Sequence, residues 1–162
     1  MENIILQTGS NLGDRKANLG KAKYLLETEV GPLFLESRIY QTAAWGNTEQ
    51  PDFYNQVLWL NSDMAPEALL GKVLDIEKRM GRTRQRKWGE RSIDIDIIFY
   101  GDRVVNQPGL SIPHPLLHQR NFVLAPLADI APDWEHPLLK KPVAKLLKES
   151  PDDLPAIPLE AL

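Results

Sequence analysis

The chain predicts an α+β fold: a ferredoxin-like β-α-β-β-α-β core, an antiparallel sheet with helices on both faces, an α/β/α sandwich. Three observations lead there. Four short segments rich in β-branched and aromatic residues alternate with two segments of helical period, in the order strand, helix, strand, strand, helix, strand. Further helical segments near the C-terminus supply a second face. At 162 residues the chain is long enough for one domain with a real core and short for two.

Residues 4–8 read as the first strand. "GSNLGD" follows as a turn, with Asp14 placed to cap a helix that runs to about Val30. Leu19, Ala22, Leu25 and Leu26 recur there at helical spacing, and "GP" at 31–32 ends it. Residues 33–40 make the second strand, "QTAAWGNTEQPD" a turn-rich loop, and residues 53–60 the third strand. Pro66 suits the first turn of a second helix, in which Leu70, Val73 and Leu74 form an apolar stripe up to Gly81. A basic loop leads to the fourth strand, residues 92–100. "YGDRVV" adds a hairpin turn and a short strand, and helices are expected around 116–128 and 143–148. From about residue 150 the proline-rich tail "ESPDDLPAIPLEAL" reads as extended or mobile. With no repeat or linker, residues 1–162 form one domain.

Apolar residues at 43% and charged residues at 25% are ordinary for a soluble globular protein. Cysteine is absent, which excludes disulfides and thiolate metal sites. "MENIILQTGSNLGD" has no basic, apolar leader pattern, and no run approaches the roughly 20 apolar residues of a membrane span. A cytoplasmic protein without a membrane partner is expected. The net charge of −3 hides an asymmetry: Lys78, Arg79, Arg82, Arg84, Arg86, Lys87 and Arg91 are seven of the chain's 19 basic residues. A local cationic patch on an acidic protein suits a compact anionic ligand better than a long nucleic acid, although a solvated basic loop has the same charges.

Directly after that patch stands "SIDIDIIFY". Strand alternation sends Ile93, Ile95 and Ile97 to one face and Asp94, Asp96 and Ile98 to the other, with the two aspartate Cα atoms roughly 6.5–7 Å apart. Two such carboxylates on an apolar strand need compensation. Mg²⁺ supplies it, since it takes one or two carboxylates together with phosphate oxygens, and paired ions serve phosphoryl chemistry. Salt bridges to Arg82 or Arg91 are the plainer alternative. Arginines beside Mg²⁺ neutralise a polyphosphate. No glycine-rich phosphate loop is present, so side chains and metal would hold the phosphates.

Other residues fit a ligand site. Phe53 and Asn55 share a strand face and offer a stacking surface and an amide to a flat heterocycle, or simply a core ring and a backbone bond. Phe122 either closes the other side of that ring or belongs to the core. Glu77 is either paired with a neighbouring arginine or placed at a ligand-facing helix end. His114, framed by prolines, makes a fixed contact or a structural turn. Trp88 covers a ligand, binds a partner or anchors its loop.

With these residues in view, the chain closely resembles the 6-hydroxymethyl-7,8-dihydropterin pyrophosphokinases of folate biosynthesis. The resemblance rests on "GSNLGDR" at 9–15, "YQTAAWG" at 40–46, "QPDFYNQV" at 50–57, "IEKRMGRTR" at 76–84, "KWGERSIDIDIIFYGD" at 87–102 and "IPHPLLHQRNFVLAPLADIAP" at 112–132. It implies transfer of the β,γ-diphosphate of ATP to the pterin hydroxymethyl group, with release of AMP. It also implies two Mg²⁺ ions on Asp94 and Asp96, with Arg82 and Arg91 acting on the phosphates. Arg84, Lys87 and Trp88 would close over the nucleotide, and Glu77, Ile97, Ser111, His114 and Arg120 match nucleotide-side positions. Phe53 and Phe122 would sandwich the pterin, while Asn55 and the backbone through Thr42, Ala43 and Trp45 read its edge. Ala43 and Ala44 stand where prolines are frequent, Pro115 where an aromatic is common, and Gly109 where a basic residue can contact phosphate. Rival readings are a nucleotidyltransferase palm, which would release pyrophosphate, and an RNA-binding module, in which paired aspartates would repel phosphate. The expected protein is a monomer acting on small molecules, with no nucleic acid partner.

Overall fold

A computed structural model describes residues 1–43, 51–81 and 92–159. In chain order the elements are β1 (Glu2–Ser10), α1 (Arg15–Glu29), β2 (Leu33–Glu36), β3 (Tyr40–Thr42), β4 (Phe53–Ser62), α2 (Pro66–Arg79) and β5 (Asp94–Tyr100). Then come β6 (Val105–Gln107), β7 (Leu110–Ile112), a single 3-10 turn (Leu117–Gln119), α3 (Asn121–Ile130), α4 (Val143–Lys148) and β8 (Ile157–Pro158). One sheet runs β5-β1-β4-β3-β8, with β2 also paired to β4, and β6 and β7 form a separate hairpin. Its recorded pairings are antiparallel. The α+β architecture expected from the sequence is present.

Local chemistry explains most boundaries. Asp14 accepts from Ala17 N–H at 3.1 Å and starts α1. Gly31 ends that turn where an added Cβ would lie 1.9 Å from the Asn61 carbonyl oxygen, so only glycine lets the chain pass. Pro66 sits in the first turn of α2. Pro108 and Gly109 (φ +77°) make the tight turn between β6 and β7, which accounts for glycine at that position.

Three expectations shift. The stretch 33–40 is two strands, because Ser37 N–H bonds the Val57 carbonyl while its hydroxyl accepts from Val57 N–H (both 2.9 Å), and the next N–H, of Arg38, turns to Asp129. The buried stripe of α2 is Leu69, Val73 and Ile76, with Leu74 exposed. Leu69 and Ile76 meet the sheet when the helix turns slightly from the expected phase. In β5 the register with β1 slips between Leu6↔Ile97 and Ile5↔Phe99, so Ile98 and Phe99 both reach the same side.

The sheet divides two cores. On one face Ile4, Leu6, Leu58, Leu60, Ile93, Ile95 and Ile97 pack against Leu19, Ala22 and Leu26 of α1 and Leu69, Val73 and Ile76 of α2. On the other, Ile5, Val57, Ile98 and Phe99 meet Val123, Leu124 and Leu127 of α3 and Val143 and Leu146 of α4. The early helices thus cover one face and the late ones the other, as expected. The tail is extended and docked through β8, which pairs Ile157 with Gln41 and Pro158 with Tyr40 of β3. Among the described residues no helix is long and apolar enough to cross a membrane.

Candidate active site

The α3 face of the sheet carries the polar residues. Register places Asp94, Gly9, Asn55 and Tyr40 in one row across β5, β1, β4 and β3, and Asp96, Gln7 and Val57 in the next. Strands about 4.8 Å apart leave Asp94 and Asn55 about 10 Å from one another, with only a glycine between them. A Cβ on Gly9 would lie 2.8 Å from Asn55 Oδ1 and 3.6 Å from the Phe53 ring. Glycine therefore lets the Asn55 amide and the Phe53 ring come close to the strand, and the strip from Asp94 to Asn55, called the slot below, has bare backbone as its floor beside a carboxylate, an amide and an aromatic ring.

Each wall is held by identifiable bonds. Asn55 is buried and donates from Nδ2 to Thr42 Oγ1 at 2.8 Å, which turns its Oδ1 toward the slot. The stretch before Phe53 is tied down by the "GSNLGDR" residues: Asn11 Nδ2 donates to the Pro51 carbonyl (3.3 Å) and Arg15 to the Asp52 carbonyl (2.8 Å). Arg15 also lies 3.9 Å over the Tyr54 ring. Gln7, 3% exposed, donates from Nε2 to the Phe122 carbonyl at 2.5 Å, joining the floor to the first turn of α3. There the Arg120 guanidinium lies 5.5 Å from the Phe122 ring centre.

Asp94 and Asp96 are half-buried on this face, each with further interactions of its own. Burial pulls the Arg120 guanidinium below its ordinary range, while Asp96, Asp94 and Asp152 pull it back. Burial and Arg120 together push the His114 imidazole down to about 4, against the attraction of Asp94, so it is neutral near pH 7. Leu116 N–H donates to His114 Nδ1 at 3.2 Å, which leaves the imidazole proton on Nε2. Asp94, Asp96, His114 and Arg120 therefore share one electrostatic neighbourhood.

Glu77 is buried at the sheet edge, where its Oε2 accepts from Ile95 N–H at 2.8 Å; as β5 is an outer strand, this meets an otherwise open donor. Ile97 belongs to the core under α1 and α2. Ser111 is exposed on β7 and Ala43 half-buried after β3. Trp45, Arg82, Arg84, Lys87, Trp88 and Arg91 lie outside the described residues.

Asp94 and Asp96 fit magnesium as a pair rather than as a closed cage. Among the described residues no group of three or more carboxylates or histidines converges on one point. Two carboxylates beside a slot with a cationic wall suit an ion that takes its other oxygens from a phosphate chain and water. Sequence reasoning missed Gln7 and Gly9. Their signals were a polar residue inside an apolar strand, and a glycine two positions on along the same face.

Comparison with known proteins identifies relatives of the chain. The description "7,8-dihydro-6-hydroxymethylpterin-pyrophosphokinase (HPPK)" matches residues 5–132. The 2-amino-4-hydroxy-6-hydroxymethyldihydropteridine pyrophosphokinase of Aquifex aeolicus is 40% identical over 93% of this chain and 93% of its own. That of Synechocystis is 41% identical over 90% of this chain and 74% of its own. The crystal structure of wild-type Plasmodium falciparum HPPK-DHPS with pteroate superposes with a TM-score of 0.75 at 17% identity, over 91% of this chain; the chain spans 42% of that longer protein. The fold is shared with that structure, and on sequence the chain belongs to the 7,8-dihydro-6-hydroxymethylpterin-pyrophosphokinase family.

Proposed function

We propose that the slot between Asp94 and Asn55 is where this enzyme joins its two substrates. As a family member it is a pyrophosphokinase of folate synthesis, carrying pyrophosphoryl from ATP to hydroxymethyldihydropterin. The observation that supports the residue assignment is the row Asp94–Gly9–Asn55, in which only glycine stands between a carboxylate and an oriented amide.

In this reading the pterin lies over Gly9 with its edge on Asn55, Thr42 and the backbone at Ala43 and Trp45, and with its faces against Phe53 and Phe122. Its hydroxymethyl oxygen is then directed toward Asp94. Asp94 and Asp96 would hold two Mg²⁺ ions, which supply charge neutralisation of the phosphates and ease loss of the hydroxyl proton. Arg82 and Arg91 neutralise the transferring group, and Arg84, Lys87 and Trp88 close over the nucleotide. Glu77, Ile97, Ser111, His114 and Arg120 line the nucleotide side, with Glu77 bracing β5 between the two aspartates. The substrate oxygen bonds the β-phosphorus as the bond from that phosphorus to the α–β bridging oxygen breaks. AMP leaves with that oxygen, and the hydroxyl proton passes to solvent. Positioning and electrostatics do the rest.

The strand order supports a ferredoxin-like core for residues 2–100. On the sequence grounds above we hold the protein to be a single-domain cytoplasmic monomer without nucleic acid or membrane partners. Incubation with Mg-ATP and the hydroxymethyl dihydropterin tests the reading: AMP and a pterin diphosphate are expected. Release of pyrophosphate with a nucleotidylated product would overturn it.

A further inference from the structure

Helix α3 begins without a cap of its own: Arg120, the residue before it, is extended and makes no side-chain cap bond. The cap comes from residues 31 positions along. Asn121 N–H donates to Asp152 Oδ2 at 2.8 Å, and Asn121 Nδ2 donates to the carbonyls of Asp152 (3.0 Å) and Leu154 (3.1 Å). Asp152 is itself braced, since its N–H donates to Ser150 Oγ (3.2 Å) and its Oδ1 accepts from Leu154 N–H (2.9 Å). A few residues later the same tail pairs with β3 through Ile157 and Pro158, and Leu159 N–H donates to the Ile39 carbonyl at 2.9 Å. Within ten residues it touches both the turn that presents Arg120 and Phe122 and the strand that presents Thr42.

We propose that residues 150–159 form a clasp that completes the active site, with Asp152 as a positioning residue that sets Phe122 and Arg120 against the slot. An exposed strap would need only apolar or strand contacts. This one instead directs a carboxylate and two carbonyls at the residue lying between the two site side chains. The carboxylate also adds to the negative surroundings of Arg120. The inference rests on the placement of the pterin against Phe122 proposed above.

Binding of 6-hydroxymethylpterin, in the presence of Mg and α,β-methylene-ATP (not cleavable at the reacting bond), separates the two ideas. Equilibrium titration and unfolding midpoints are measured for the parent, Asp152→Ala, Phe122→Ala and the double variant. Asp152→Ala is expected to weaken pterin binding roughly fivefold, the scale of a lost cap, while Asp152→Asn, which keeps an acceptor for Asn121 N–H, recovers most of it. In the Phe122→Ala background the Asp152 effect on binding should vanish, whereas the effects on unfolding add. If Asp152→Ala does not fold, Asn121→Ala reads the same coupling by removing the two side-chain bonds. Additive binding losses, or parental binding by Asp152→Ala beside weakened binding by Phe122→Ala, overturn the clasp alone. Parental binding by Phe122→Ala overturns both the clasp and the pterin placement.

Discussion

Gln7 on β1 donates its side-chain amide to the backbone carbonyl of Phe122, 2.5 Å away and 115 positions along the chain. Its register partner on β5 is Asp96. One buried amide thus links the strand beside Asp96 to the helix turn that carries Phe122. Gln7→Ala would take this donor from the carbonyl and open a void beneath Phe122. Pterin binding is expected to weaken about fivefold, the scale of one lost buried hydrogen bond, with nucleotide binding nearly unchanged. Gln7→Glu should be worse, since an ionised carboxylate cannot donate and would face Asp96. Titration of both variants with the pterin checks this; parental affinity for either would remove Gln7 from the wall.

Gly9→Ala is expected to act on the ligand more than on the fold. Its Cβ would meet Asn55 Oδ1 at 2.8 Å, and the amide can yield only by leaving Thr42. A loss of roughly tenfold in pterin affinity follows if the amide bond to the ligand is lost. The unfolding midpoint should fall by only a few degrees. An unchanged KM for the pterin would show that the slot over Gly9 is not where the ring lies.

Asp96→Ala should abolish AMP formation, and Asp94→Ala likewise, because either change would leave the proposed magnesium site with one protein carboxylate. Turnover by Asp96→Ala within tenfold of the parent protein would refute its metal role.

Asp129 on α3 accepts from the backbone and guanidinium of Arg38 and from the Tyr40 hydroxyl, at 2.7–3.1 Å. Its side chain is 9% exposed. Burial together with Asp129 raises the Tyr40 phenol to about 12. Asp129→Ala, which takes the acceptor from the buried Tyr40 hydroxyl, and Arg38→Ala, which takes the guanidinium from the little-exposed Asp129, should each lower the urea midpoint, and the pair together by less than the sum. Urea unfolding of the three variants measures it.

His136, 4% exposed, accepts at Nδ1 from the N–H groups of Leu138 and Leu139, both at 3.1 Å. Burial, helped by His118, holds it below its ordinary range, so the folded protein keeps it neutral. The unfolded chain takes up that proton near pH 6.5 and the folded one only at lower pH. Its contribution is therefore complete above about pH 6.5 and lost as pH falls. The unfolding midpoint should drop between pH 7.5 and 5.5, and His136→Gln should show a shallower drop from a lower start. Parallel curves would exclude His136 as a source.

How far the sequence could be read depends on the range of the interaction. Alternation along one strand was enough to place Asp94 and Asp96 on the same side, and the side-chain cap at Asp14 and the prolyl start at Pro66 marked two helix ends. The phase of α2 was harder, because Leu69, Leu70, Val73, Leu74 and Ile76 permit more than one apolar stripe and only packing on the sheet selects Leu69, Val73 and Ile76. The bulge near Ile98 left no local mark at all.

By itself, then, the chain determined its α+β order, its paired carboxylates and, through its motifs, its family, since each is written in residues close together or in fixed spacing. Tertiary structure alone decided that Gly9 stands between Asp94 and Asn55, that Gln7 braces Phe122 and that Asp152 caps α3. Those relationships join strands, a helix and a tail far apart along the chain, and no local period encodes which distant carbonyl or N–H a buried side chain will meet once the two cores close on the sheet.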